Sequence, residues 1–262
     1  MSLATVSSHV THFPPRFRYV RALRTTKARL FCLHPAGGSS ASFRHWATLP
    51  EDGIEVWPIH LPGHGVWQDE PLICDMTELV DLLLKGMIPF LGEFPFVLYG
   101  HSMGALVAFE LARNLEIRAL KKPSALIISG CLPPIPLLRY FQALSEESLL
   151  REVLAAGGFP NEIAADDELF EFFSHILLND LRLLRRYRWD PFSKQIGIPL
   201  SIHLGSADPI CPPSRGTEWA DYTSAETSYT IFPGGHFFLE TDTEAVQKAI
   251  ATTIKSQLCS DC

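Results

Sequence analysis

Six short apolar runs punctuate this chain: RLFCLHP, EVWPIHLPG, FVLYG, ALIISG, PLSIHLG and TSYTIFPGG. Most are continuous rather than alternating, which is the pattern of strands buried on both faces of a sheet. Between them lie helix-like segments such as SSASFRHWATL, TELVDLLLKGMI and GALVAFELARNL. Strands alternating with helices make βαβ units, so an α/β fold with a mostly parallel central sheet flanked by helices is expected. A length of 262 residues suits one domain of this class, and residues 1–262 are read as one. One long interruption separates ALIISG from PLSIHLG. There a proline-rich CLPPIP precedes two helical segments, SEESLLREVLAAG and DDELFEFFSHILLNDLRLLRRYR, in an insertion of approximately residues 132–190. Insertions of that size in an α/β fold are usually functional.

Composition excludes several classes. A net charge of −7 speaks against nucleic-acid binding, whose footprint is basic. No apolar run approaches the ~18 residues that span a bilayer. The opening MSLATVSSHVTHFPPRFR lacks both a basic and an apolar stretch of signal-peptide type, so a cytoplasmic chain is expected. Six cysteines are scattered at 32, 74, 131, 211, 259 and 262. Cys32 and Cys131 sit in or beside apolar runs and read as reduced core thiols. The terminal CSDC has no second ligand pair, so neither zinc nor any other metal is expected.

The run FVLYGHSMGALVAFELARNLE breaks an apolar strand and an apolar helix around one serine. GHSMG fits the G-x-S-x-G nucleophile elbow, whose context is strand, sharp turn, helix. Gly100 and Gly104 leave room for a turn that lifts the Ser102 hydroxyl above the sheet. A Gly-Ser turn of no chemical import is the plain alternative.

A nucleophilic serine needs a base, and the base an orienting acid, in the chain order Ser, Asp or Glu, His. Several histidines compete. His34, His45, His60, His64 and His101 precede or adjoin Ser102. His175 lies in the insertion, and His203 inside an apolar strand, as a core histidine would. His236 remains, on a Gly-Gly loop after the last strand. For the acid, Asp208 follows the penultimate strand in PLSIHLGSADPI. Asp190, before that strand, is the second candidate. Acyl transfer also needs two backbone donors for its oxyanion. One is the Met103 amide, and the other comes from LHPAGGSS. Pro35 has no N–H, so Ala36 is the nearest donor. The plain alternative for that loop is a turn into a helix capped by Ser39 or Ser40.

FCLHPAGGSSASFRHW, LPGHG, DEPL, GHSMGALVAFELAR, GSADP and GGHFFL together resemble the type II thioesterases, the stand-alone editing enzymes of nonribosomal peptide and polyketide assembly lines. The resemblance spans about the whole chain in consistent order. It implies an α/β-hydrolase fold with a helical lid, and hydrolysis of acyl or aminoacyl thioesters from the phosphopantetheine arm of carrier proteins. It implies Ser102 as nucleophile, His236 as base, Asp208 as its partner, and Ala36 and Met103 as oxyanion amides. The protein itself would need no cofactor, since the substrate carries the phosphopantetheine. Its partners would be acyl or peptidyl carrier protein domains, and a free-standing monomer is expected. Some residues depart from the family pattern. Proline and then an aromatic residue or histidine usually precede the family's Ala-Gly-Gly, where this chain has His34-Pro35. LPGR is LPGH here, with His64 in place of arginine. In the lid the family tends to show Asp, an acidic residue five on, then Tyr. Asp180 and Tyr187 match, whereas Arg185 reverses the charge.

Two lid features extend this reading. Leu169, Phe172, Phe173, Ile176 and Leu177 form an apolar stripe that either keeps the site dry or packs the lid on the sheet domain. Arg182, Arg185 and Arg186 are spaced i, i+3, i+4 on one helix face, with Leu181 and Leu184 on the other. Because the family's carrier proteins are acidic, these arginines are candidates for docking; a solvated face paired with nearby carboxylates is the alternative. Two other functions stay open: a carboxylesterase or lipase on the same fold, and a non-catalytic acyl-binding module.

Overall fold

The structure, a computed structural model, describes residues 25–46, 49–159, 161–190 and 192–260. The opening segment read for a signal peptide and Cys262 of the CSDC motif lie outside the described residues. The strands are β1 (Ala28–Leu33), β2 (Ile54–Pro58), β3 (Phe96–His101), β4 (Ala125–Ser129), β5 (Leu200–Gly205) and β6 (Thr227–Phe232). They form one parallel sheet in the order β2-β1-β3-β4-β5-β6. Every residue of β1 to β5 is buried, which is why their runs read as continuous.

Successive side chains leave a strand on opposite faces, so each strand serves two cores. Phe31, Leu33, Leu98, Leu126 and Ile128 face one of them, with helices α1 (Met76–Met87) and α2 (Met103–Ile117). Leu30, Cys32, Val97, Tyr99 and Ile127 face the other, with α9 (Thr243–Ser260). Helix α1 shows the local logic. Asp75 caps it by accepting from the Glu78 amide, and Met76, Leu79, Val80, Leu83, Leu84 and Met87 are buried. That spacing is one face of a 3.6-residue helix.

Within SSASFRHWATL the described residues form a 3-10 turn, Ser40–Phe43, with Ser39 accepting from the Ala41 amide as cap, and no α-helix. Residues 47 and 48 lie outside the described part. Phe43 and Trp46 are three apart, so a three-residue period superposes them, and both are buried with ring centroids 4.9 Å apart.

Between β4 and β5 the chain forms α3 (Pro134–Ala143), α4 (Glu146–Ala155), α5 (Asn161–Ala164) and α6 (Asp167–Arg186). These lie within the insertion expected over 132–190. The prolines of CLPPIP open α3 rather than prevent it: Pro134 and Pro136 sit in its first turn, where a missing N–H costs nothing. Asp166 caps α6, accepting from the Glu168 and Leu169 amides. Acids in its first turn and Arg185 and Arg186 in its last complement the helix dipole. Two short helices, α7 (Pro213–Gly216) and α8 (Phe238–Thr241), complete the chain.

The topology fixes where a ligand goes. The chain leaves β1 outward to β2, then returns to place β3 on the other side of β1. Parallel sheets open a crevice at the strand C-termini where the order reverses in this way. The loop after β1 and the turn after β3 both end in that crevice.

Candidate active site

Ser102 follows β3 directly and precedes α2, with φ 54° and ψ −120°. An L-residue in this region is strained, so the surroundings must hold it there. They do so by proximity. A Cβ on Gly100 would lie 2.1 Å from the Gly104 carbonyl oxygen, and one on Gly104 would lie 2.3 Å from that of Leu33. Only glycine fits either position. The Ser102 amide donates to the Ser129 carbonyl at 2.8 Å, tying the elbow to the end of β4.

The structure brings Ser102, His236 and Asp208 together. Ser102 Oγ lies 2.9 Å from His236 Nε2, and His236 Nδ1 lies 2.8 Å from Asp208 Oδ2. The other carboxylate oxygen of Asp208 accepts from the Ile210 and Cys211 amides at 2.8 and 3.0 Å. With its proton on Nδ1, His236 turns a lone pair toward the serine hydroxyl, the arrangement a general base requires. The loops carrying Asp208 and His236 are joined: the Ala207 amide donates to Gly234 O at 2.8 Å. Gly205 permits the approach, since a Cβ there would be 2.3 Å from Gly235 O. Asp190 is elsewhere; exposed, its carboxylate accepts from the Phe192 amide within its own turn.

His101 packs beside the base, its ring centroid 5.1 Å from that of His236. Burial, then the neighbouring His236, holds its pKa well below the usual imidazole value. It therefore adds no charge to the site. His203 is buried in β5 and pulled down to about 4 by burial, in keeping with a core role.

The Ala36 and Met103 amides both border the cleft above Ser102, and neither has an acceptor among the described residues. The Pro35–Ala36 peptide is held by its carbonyl. Pro35 O accepts from the Gly38 amide at 3.0 Å and from His34 Nδ1–H at 2.9 Å. In a trans peptide the N–H points opposite to the C=O, so these two donors aim the Ala36 N–H away from themselves. Gly37, at φ +70°, supplies the left-handed third position of this tight turn. Burial, then charge on His64, pulls His34 down to about 3, which keeps it neutral. The His34-Pro35 order thus has a definite structural use.

The cleft is narrow and partly open to solvent. Leu137, Tyr140 and Phe141 of α3 line it, as do Leu149 and Val153 of α4. Leu181 and Leu184 of α6 complete the apolar wall. Of the two readings of the lid stripe, keeping the site dry or packing the lid on the sheet domain, its positions favour packing. Ile176 and Leu177 are buried, whereas Leu169 and Phe172 are 42% and 45% exposed, and none of the five residues borders the cleft. Leu177 packs on the oxyanion loop, where a Cβ on Gly37 would meet its Cβ at 3.1 Å. Helix α3 is additional to the two helical segments expected in the insertion: its prolines mask a helical signal, Leu137 and Phe141 at i, i+4.

The arginines do not form an unpaired patch. Arg182 and Arg185 both pair with Glu146 of α4, at 3.1 and 3.6 Å. Arg186 is turned toward Cys74, Nη1 to Sγ 2.6 Å. The carboxylate-paired alternative therefore describes Arg182 and Arg185, because α4 brings Glu146 across. Leu181 and Leu184 are buried on the opposite face. Tyr187, at the end of α6, donates to Glu110 of α2 at 2.7 Å. Burial first, and Glu110 second, push its pKa far up, so it stays a donor.

The thioesterase-domain family profile matches residues 28–258. The chain belongs to the thioesterase family. This thioesterase is 30% identical over 218 residues to GrsT, a gramicidin S biosynthesis protein of Aneurinibacillus migulanus, covering 81% of this chain and 83% of GrsT. It is 34% identical over 244 residues to AmbE, an AMB antimetabolite synthetase of Pseudomonas aeruginosa; that is 89% of this chain and 11% of AmbE. Among solved structures, BorB, a type II thioesterase from the borrelidin biosynthetic cluster, superposes with a TM-score of 0.80 at 29% identity, covering 95% of this chain and 99% of BorB. The resemblance read from the motifs and the α/β-hydrolase fold both stand. Among the described residues no helix is long and apolar enough to cross a membrane, and no cluster of potential metal ligands occurs.

Proposed function

We propose that this thioesterase is a type II enzyme that hydrolyses acyl thioesters on the phosphopantetheine arm of carrier proteins in nonribosomal peptide or polyketide synthesis. The observation that supports it best is the unbroken hydrogen-bond chain from Ser102 through His236 to Asp208, opening on an apolar cleft with two unengaged amides. Ser102 Oγ attacks the thioester carbonyl while its proton passes to His236 Nε2. Asp208 keeps the Nδ1 proton in place and stabilises the imidazolium. The carbonyl oxygen becomes anionic and takes hydrogen bonds from the Ala36 and Met103 amides. Collapse breaks the C–S bond, and the sulfur takes the proton from His236, directly or through solvent, which returns the imidazole to its neutral form. Water, deprotonated by His236, then attacks the acyl-serine, and Ser102 recovers its proton as the acid departs.

Thioesters suit this site. A thiol of pKa ~8.5 leaves with far less protonation than an alkoxide or amine needs. The demands that remain are an activated serine and a dry oxyanion pocket, which the walls from α3, α4 and α6 favour. The names of GrsT, a gramicidin S biosynthesis protein, and BorB, a type II thioesterase from a biosynthetic cluster, favour a carrier-bound substrate over a free ester. The basic end of α6, with Arg182, Arg185 and Arg186, is the proposed landing site for an acidic carrier protein. The test is to compare release from an acylated carrier protein with hydrolysis of a nitrophenyl ester of the same acyl group. A higher specificity constant on the carrier-bound substrate supports the reading, and a preference for the ester would make this a carboxylesterase.

A further inference from the structure

The oxyanion loop is fastened to the lid at one atom. Asp180 Oδ2, on α6, accepts from the Gly37 amide at 2.8 Å and lies 2.9 Å from His64 Nε2. Asp180 is 2% exposed and His64 3%. The other ring nitrogen of His64 lies 2.8 Å from the Pro62 carbonyl oxygen. A carbonyl and a carboxylate only accept, so an imidazole satisfies both partners only when both of its nitrogens carry protons. The geometry therefore calls for an imidazolium–carboxylate pair, buried between lid and body. Gly37 follows Ala36, and its N–H belongs to the middle peptide of the turn that presents the Ala36 amide.

We propose that Asp180 and His64 are positioning residues for the thioester reaction: their ion pair clamps the Ala36–Gly37 peptide to lid helix α6 and so holds the oxyanion hole in register with Ser102. The inference rests on the hydrolase reading above. Its chemistry is electrostatic and needs no bond to form or break. Asp180 alone would be an uncompensated buried charge, and His64, which stands where the family pattern has arginine, supplies the compensation. The groups facing His64 are Asp180 from α6 and His34 from the loop after β1, whose ring centroid is 4.9 Å away. His60 bears on His34 in turn. Burial alone would lower the His64 pKa, but the Asp180 charge and hydrogen bond, with the Pro62 carbonyl, outweigh it and leave the pKa raised. A raised histidine pKa means that the clamp is complete below the ordinary value of ~6.5 and is lost as pH rises through the folded-state value. Above that pH, an Nε2 lone pair faces Asp180 and the clamp slackens.

The decisive variant is Asp180→Asn, nearly the same size but uncharged. Its kcat on an acyl-pantetheine thioester should fall ~10²-fold, the scale of one lost oxyanion donor, with KM little changed. Affinity for an alkylboronic acid, which forms a tetrahedral adduct on Ser102 and uses the same amides, should fall by a similar factor. Unchanged kcat and boronate affinity in a folded Asp180→Asn protein would overturn the clamp, as would a rise in KM alone. The second variant, His64→Arg, keeps a cation facing Asp180 that does not titrate. The wild type should lose kcat at alkaline pH and His64→Arg should not; identical alkaline limbs would also overturn the proposal. If the wild type released no thiol at all, the hydrolase reading would fall, and boronate affinity would still decide the clamp.

Discussion

Replacing Asp208 by asparagine exchanges one oxygen for an NH2 group and should nearly silence the enzyme, for a reason visible in the hydrogen bonds. Asp208 Oδ1 accepts from two backbone donors, the Ile210 and Cys211 amides. Asparagine has one oxygen, and two N–H groups facing a side-chain NH2 would leave three donors in conflict. The amide must therefore turn its oxygen to the backbone and its NH2 to His236. His236 Nδ1 then becomes an acceptor and its proton moves to Nε2, 2.9 Å from Ser102 Oγ. A protonated Nε2 cannot take the serine proton. The same tautomer error in a serine protease costs ~10⁴ in turnover. That corresponds to about 5.5 kcal/mol of transition-state stabilisation. Stability should change little, because both backbone amides keep their acceptor. The assay is steady-state release of free thiol from an acyl-pantetheine thioester, with a thermal melt as control. Loss of less than ~10-fold in a folded Asp208→Asn protein, or severe loss in Asp190→Asn instead, would refute the reasoning.

Gly104→Ala should be far more damaging to the fold than a methyl group implies, because its Cβ would meet the Leu33 carbonyl oxygen at 2.3 Å. A cost of about 3 kcal/mol or more is expected, lowering Tm by roughly 6–12 °C in a calorimetric scan. Tyr187→Phe removes the hydroxyl that donates to the buried Glu110 at 2.7 Å. It should cost ~1–3 kcal/mol in a denaturant titration while leaving thioester chemistry intact in the folded enzyme. Reversing Arg182, Arg185 and Arg186 to glutamate should lower the specificity constant for an acidic acyl-carrier protein and flatten its salt dependence, with acyl-pantetheine hydrolysis unchanged. Equal loss on both substrates would mean damage to the lid, since Arg182 and Arg185 also pair with Glu146.

These tests divide between what the sequence made legible and what only packing reveals. The six strands announced themselves because burial on both faces leaves each as an unbroken apolar run, and the elbow did so because its glycines answer a local steric demand. Asp208 and His236 followed from chain order and from their places just past strand ends. The cleft walls did not follow. In the sequence Leu181 and Leu184 read only as the back of a basic face, and which way α6 rotates is decided by its contacts with α3 and α4. For the same reason Glu146 was invisible as the partner of two arginines; it lies 36 residues from Arg182 in the chain. The link between His64 and Asp180 spans 116 residues, and nothing local to LPGH foretells it.

In the proposed mechanism Ser102 carries the acyl group from a thioester to water. The most direct measurement is intact-mass analysis of the enzyme during turnover of an acylated carrier protein, paired with quantitation of free carrier thiol. The account predicts a transient mass increase equal to one acyl group, located on Ser102, with thiol released at the same rate. In Ser102→Ala, which loses one oxygen and should fold normally, both signals should disappear. Thiol release by Ser102→Ala at near wild-type rate, or an acyl adduct on any other residue, would contradict it.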